Sequence, residues 1–150
     1  MTNEFVPRQV TRSYTQTLVA PPERILPLLT PEGERAWAEG WNPTVLFDAP
    51  GRDGTVFLTR DPDTLWLLQR YDAAGGYVRY YRITPDSNVT ELDIVLRPVA
   101  PDVTEATVRY TYTGLSETGN ALVASRTEEY YLGFMQNWED ALNRYLTATA

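Results

Sequence analysis

SETGNALVASRTEEYYLGFMQNWEDALNRYLT, residues 116–147, contains no proline and repeats its apolar residues at helical spacing. Leu122, Val123, Tyr130, Tyr131, Phe134, Met135, Trp138, Leu142, Tyr145 and Leu146 share one face. Glu128, Glu129, Glu139, Asp140, Asn143 and Arg144 hold much of the rest. Ser116 is an N-cap residue by type. The spacing predicts a single helix from Ser116 to about Thr147. Gly119 and Gly133 inside it each cost ~1 kcal/mol of helix propensity. At ~1.5 Å per residue it is the longest element the chain offers.

What lies before it has a different period. Seven stretches are rich in Val, Thr, Tyr and Leu: residues 8–20, 44–49, 55–60, 64–72, 77–84, 88–99 and 103–115. PGRDG, AAGG and APD stand between neighbouring stretches as turns, so the strands should pair antiparallel. Parity sorts the side chains. Leu92, Ile94 and Leu96 oppose Glu91, Asp93 and Arg97, while Ala106, Val108, Tyr110 and Tyr112 oppose Glu105, Thr107, Arg109 and Thr111. The apolar sets should point inward. Asn88 opens an Asn-X-Thr triplet, which reads here as a strand start.

Two short helices fit between the first and second strands. One runs from about Pro22 to Leu29, limited by Pro27. The other starts after Thr30 as N-cap, takes Pro31 in its first turn and ends near Glu39, with Gly40 as its C-terminal glycine. Glu32 and Glu34 suit the positive start of that helix. A sheet with one apolar face needs a cover. Only the C-terminal helix is long enough, so the sheet must curl around it.

Composition narrows the chemistry. At 150 residues, 43% hydrophobic and 22% charged, the chain is one ordinary globular domain, residues 1–150. Its net charge of −7 speaks against nucleic acid and against an anionic membrane surface. The opening MTNEFVPRQV has no apolar run, and no segment approaches the ~20 residues of a membrane span. A cytoplasmic location is predicted. The sequence contains no Cys, His or Lys. Thiolates, histidine bases and Schiff-base lysines are therefore excluded, and no cofactor or metal is predicted. No carboxylate pair stands out as an acid/base couple.

The stretches LLTPEGERAWAEGWNPTVLF, GTVFLTR, WLLQRYD, YYRITPD, ATVRYTYTGLSETGN and YYLGFMQNWEDALNRYL resemble the SRPBCC superfamily of START-like proteins, from about Arg8 to Leu146. The resemblance implies an α+β helix-grip fold: about seven curved antiparallel strands around a long C-terminal helix, with two short helices between strands one and two. It also implies a cavity between sheet and helix, with Trp37 and Trp41 near its mouth, either as a plug of the curled sheet or as a moving rim.

Candidate lining residues follow from parity and helical spacing. They are Trp37, Trp41, Trp66, Tyr80, Arg82, Tyr110, Tyr112, Tyr130, Tyr131, Phe134 and Trp138. An aromatic surface with a few hydroxyls suits a flat or apolar ligand, and it equally suits a packed core. Among Arg70, Arg79 and Arg82, cross-strand pairing with Glu91 or Asp93 on the outer face is expected. Arg82 falls on the other face and is the one to expect in a site. The leading reading is a cytoplasmic protein that binds an apolar, aromatic or lipid-like small molecule. An aromatase/cyclase-type enzyme acting on a polyketide and a chaperone- or stress-associated interaction protein remain as alternatives. No catalytic motif favours an enzyme.

Overall fold

In the computed structural model, which describes residues 4–150, the strands are β1 (Gln9–Leu18), β2 (Thr44–Phe47), β3 (Thr55–Thr59), β4 (Thr64–Asp72), β5 (Tyr77–Thr84), β6 (Asn88–Ala100) and β7 (Val103–Gly114). They form one antiparallel sheet in the order β1-β7-β6-β5-β4-β3-β2. β1 thus closes against the last strand, while β2 to β7 meander. The inward residues are those the parity assigned. Val78, Tyr80, Leu92, Ile94, Leu96, Ala106, Val108, Tyr110 and Tyr112 are all buried.

The helices differ from expectation at their ends. α1 is only Pro22–Ile25, and Pro27 turns the next four residues, Leu26–Leu29, into a 3-10 turn. α2 is only Pro31–Glu34, capped as expected by Thr30 Oγ1, which accepts from Gly33 N at 3.0 Å. Residues 35–39 continue as turns instead of helix, and Gly40 has φ +75°. Gly33 is obligatory here, because a Cβ at that position would fall 2.0 Å from Pro27 O.

The C-terminal helix is two helices, α3 (Glu117–Ser125) and α4 (Glu128–Ala148). Ser116 caps the first, accepting from Gly119 N at 3.0 Å. Arg126 leaves helical geometry at ψ 63°, and Thr127 caps the second by accepting from Tyr130 N at 3.1 Å. Thr followed by two glutamates is a helix start, and it wins over continuity. The break lets α3 press on the β5–β6 turn, where a Cβ on Gly119 would sit 1.7 Å from Ser87 O. α4 then crosses the concave face and buries Tyr131, Met135, Trp138, Leu142 and Leu146.

α4 also finishes the free edge of β1. Glu139 Oε2 accepts from Thr17 N at 2.6 Å, and Asn143 Oδ1 accepts from Val19 N at 3.0 Å. Asn143 Nδ2 returns a bond to Thr17 O at 2.8 Å, and the Tyr14 hydroxyl donates to Glu139 Oε1 at 2.9 Å. At the other end Asn120 of α3 accepts from Arg8 N and donates to Val6 O. Helical side chains stand in for a missing neighbour strand.

Candidate functional site

The site is built on two rows of the sheet. Register places Trp66, Arg82, Thr90 and Tyr112 side by side across β4, β5, β6 and β7. The next row holds Leu68, Tyr80, Leu92 and Tyr110. All eight side chains point to the concave face, because alternate residues of neighbouring strands share a side. Seven are buried and Arg82 is half-buried.

Aromatic rings make the walls in two groups. Trp41 meets Trp66 edge-on at 5.4 Å and Phe57 at 5.9 Å, and Phe57 stacks on Trp66 at 5.3 Å. Across the interior Trp37 stacks on Trp138 at 5.7 Å, Trp138 meets Phe134 at 6.1 Å, and Phe134 meets Tyr110 at 5.5 Å. Such pairs add roughly 0.5–1.5 kcal/mol each beyond burial. Arg82 joins the groups, with its Cζ 5.3 Å from the Trp66 ring and 5.8 Å from the Tyr110 ring.

Trp37 and Trp41 therefore pack on the core from the α2 segment, and each is pinned by its indole nitrogen. Trp37 Nε1 donates to Leu28 O and Trp41 Nε1 to Pro31 O, both at 2.8 Å. Two lining tyrosines are also spent on backbone: Tyr80 on Leu29 O at 2.5 Å and Tyr131 on Val108 O at 2.7 Å. Tyr130 is placed elsewhere. It is 43% exposed and lies against Arg126, whose Cζ is 4.5 Å from its ring. Helical spacing puts it one position off the buried face, and the break at Thr127 puts it in the exposed first turn of α4.

Two hydroxyls of the lining are unspent. The hydroxyls of Tyr110 and Tyr112 make no hydrogen bond among the described residues, although Tyr110 is only 4% exposed. Among the described side-chain nitrogens and oxygens sealed from solvent, Trp138 Nε1 alone lacks a partner. The two hydroxyls therefore open on space that water reaches. Burial raises Tyr112 to about 12 and Tyr110 well above the ordinary tyrosine value, while the Arg82 guanidinium pulls both down.

Glu34 is the residue that sequence reasoning missed. Its position suits a helix start, but its carboxyl turns inward and makes no ion pair or side-chain hydrogen bond among the described residues. Burial lifts it to about 8. Burial likewise raises Tyr80 and Tyr110, and a negative charge on Glu34 would raise both further. The spacing Glu34, Trp37, Trp41 was the available signal, since i, i+3 and i+7 share a helical face. The neighbouring Glu32 instead faces out and pairs with Arg35 at 3.1 Å.

A pH prediction follows. The unfolded chain releases the Glu34 proton near 4.5 and the folded chain near 8. Between these values the folded state binds the extra proton, so this group lowers stability as pH rises, fully so above about 8. The residue is partly exposed, which limits the effect to on the order of 2 kcal/mol. Glu34→Gln should match wild type at pH 5 and exceed it at pH 9 by that amount in urea denaturation. Parallel pH dependence of the two proteins would mean a solvated carboxyl.

Arg79 makes the outer-face pairing expected of it, and Arg70 does not. Arg79 and Arg109 both reach Asp93, at 2.7 and 3.1 Å, and Arg79 also pairs with Glu91 at 3.5 Å. Burial alone would raise Asp93, but hydrogen bonds from Arg79, Tyr77 and Arg109 outweigh it and hold the carboxyl below its usual value. Arg70 is exposed and 3.8 Å from Asp72. A separate open groove of about 300 Å³ runs outside the sheet edge between β1 and the start of α4, touching Arg12, Glu128 and Tyr131. It shares only Tyr131 with the aromatic lining.

No protein-family model matches the chain, and no curated protein matches it. Solved structures do match. Norcoclaurine synthase from Thalictrum flavum, a point mutant in complex with a transition-state analogue, superposes with TM-score 0.72 at 13% identity, covering 98% of this chain and 100% of that one. TTHA0849 from Thermus thermophilus gives 0.69 at 17% identity, covering 94% and 99%. Ara h 8.0201 gives 0.61 at 16%, covering 90% and 98%. The chain shares the helix-grip fold of these structures over nearly its whole length. No described helix is long and apolar enough to cross a membrane.

Proposed function

We propose that this protein is a small cytoplasmic binder of an apolar, aromatic or lipid-like molecule, held between the concave sheet face and α4. One observation carries the reading: an aromatic interior holds Arg82 with one long hydrogen bond and no carboxylate partner, and leaves the Glu34, Tyr110 and Tyr112 side chains without a hydrogen bond among the described residues. One structural neighbour of the same fold, norcoclaurine synthase from Thalictrum flavum, is in complex with dopamine and hydroxybenzaldehyde. The aromatase/cyclase-type reading stays second on the strength of Glu34, a carboxyl kept protonated at neutral pH beside tyrosine rings.

Native mass spectrometry of freshly purified protein tests the reading directly, through a co-purified small molecule released on denaturation. Hydrogen exchange adds a second readout. The α2 segment is short and relies on Trp37 and Trp41 for its hold on the core, so residues 31–41 should exchange faster than 131–142 in the free protein. Saturation with the neutral probe N-phenyl-1-naphthylamine should slow exchange at 31–41 and shift tryptophan fluorescence. Unchanged exchange and fluorescence at saturating probe, with no co-purified molecule, would leave the two tryptophans as a plain plug.

A further inference from the structure

Resting on that reading, we infer that the interior selects an aromatic acid, with Arg82 as the seat of the ligand's carboxylate and the Tyr110 and Tyr112 hydroxyls beside it. Two arginines, Arg12 and Arg82, project from the concave side of the sheet. Arg12 is accounted for: it pairs with Glu128 at 3.5 Å and donates to Arg126 O at 3.0 Å. Arg82 has no carboxylate within ion-pair distance among the described residues. Its one hydrogen bond is a long one, Nη2 to Thr90 Oγ1 at 3.4 Å. A guanidinium carries five N–H donors in one plane, so four remain unused. Its flanks are held by the Trp66 and Tyr110 rings. Rings attract the cation but accept none of those in-plane hydrogen bonds. A half-buried guanidinium held this way is arranged for a planar, two-oxygen acceptor, which is a carboxylate.

The surroundings favour an anion over a cation. The sequence as a whole carries a net charge of −7, yet the charge set among these aromatic rings is the cation Arg82. Burial lifts Glu34 to about 8, which favours its neutral form at neutral pH, so it opposes no anion. The Tyr110 ring lies against the guanidinium and Tyr112 stands in the same cross-strand row, beyond Thr90, so both bring a hydroxyl with no hydrogen bond among the described residues to this part of the interior. Aromatic walls then require that the rest of the ligand be flat and apolar.

The test compares three ligands of one shape by isothermal titration: 2-naphthoate, 2-naphthalenemethanol and 2-naphthylmethylamine. Wild type should bind the naphthoate about tenfold more tightly than the alcohol, the scale of charge-assisted hydrogen bonds. Arg82→Gln should abolish that preference while leaving the alcohol within about twofold, and Arg82→Lys should keep part of it. Equal binding of acid and alcohol by wild type, or tightest binding of the amine, would overturn the carboxylate assignment and leave the binding reading intact. A preference that survives in a folded Arg82→Gln would overturn it too. Binding of none of the three would bring down both. The wild-type comparison decides the matter even where a variant melts early.

Discussion

A chain ending at residue 116 is expected to be unfolded at all temperatures. The truncation removes α3 and α4, and with them Val123, Tyr131, Met135, Trp138, Leu142 and Leu146, each between fully buried and 8% exposed. At ~1.5–3 kcal/mol for each large apolar side chain buried, the loss is on the order of 10 kcal/mol. A domain of this kind has ~5–15 kcal/mol in total. The damage extends to the sheet, where Gln16, Val108 and Tyr110 lose their cover and β1 loses the side chains bonded to Thr17 and Val19. Circular dichroism on heating should show no cooperative transition. A sharp melt from the truncated chain would mean that the sheet is stable without its helix.

The largest single-residue loss is expected at Trp138. Its ring is stacked on Trp37 and against Phe134, and it is 8% exposed. Trp138→Ala should cost ~3–5 kcal/mol, about 10 °C in Tm for a domain of this size. Its Nε1 is sealed from solvent and bonds to nothing among the described residues, so the nitrogen is desolvated without compensation and stabilises nothing. Trp138→Phe, which keeps ring bulk and removes that donor, should cost only ~1 kcal/mol. Equilibrium urea denaturation distinguishes the two variants. A loss below ~1 kcal/mol for the alanine variant would mean that Trp138 lines open space and supports nothing.

Much of this architecture is legible in the sequence because it rests on periods. Alternation placed Tyr80, Tyr110, Tyr112 and Arg82 on one face of the sheet, and register then made them neighbours. Helical spacing identified Tyr131, Met135, Trp138, Leu142 and Leu146 as a buried stripe. The caps at Thr30 and Ser116 were readable from residue type. What escaped was decided by competition between local signals. Thr127 with Glu128 and Glu129 starts a new helix inside an unbroken apolar pattern, and the pattern hides it. Tyr130, one residue from a buried position, rotates outward for the same reason. Glu34 escaped because a glutamate near a helix start has a sufficient electrostatic role there, and only the fold reveals that its carboxyl points in. The hydroxyls of Tyr110 and Tyr112 could be placed on a face from sequence, but whether they find partners depends on the α2 segment and α4, which are far away in the chain.

The ties from α3 and α4 to β1 have a consequence for how copies of this molecule can add to one another. A sheet that does not close on itself has two ends, and a particle with two free ends can join others into an endless ribbon, while a particle with one can only pair. The ties engage backbone at Val6, Arg8, Thr17 and Val19, so an arriving strand would first have to evict Asn120, Glu139 and Asn143. The opposite end, β2, is four residues long and shifts register between Val45 and Phe47, which gives an arriving strand little to match. Growth through the sheet is therefore discouraged at both ends.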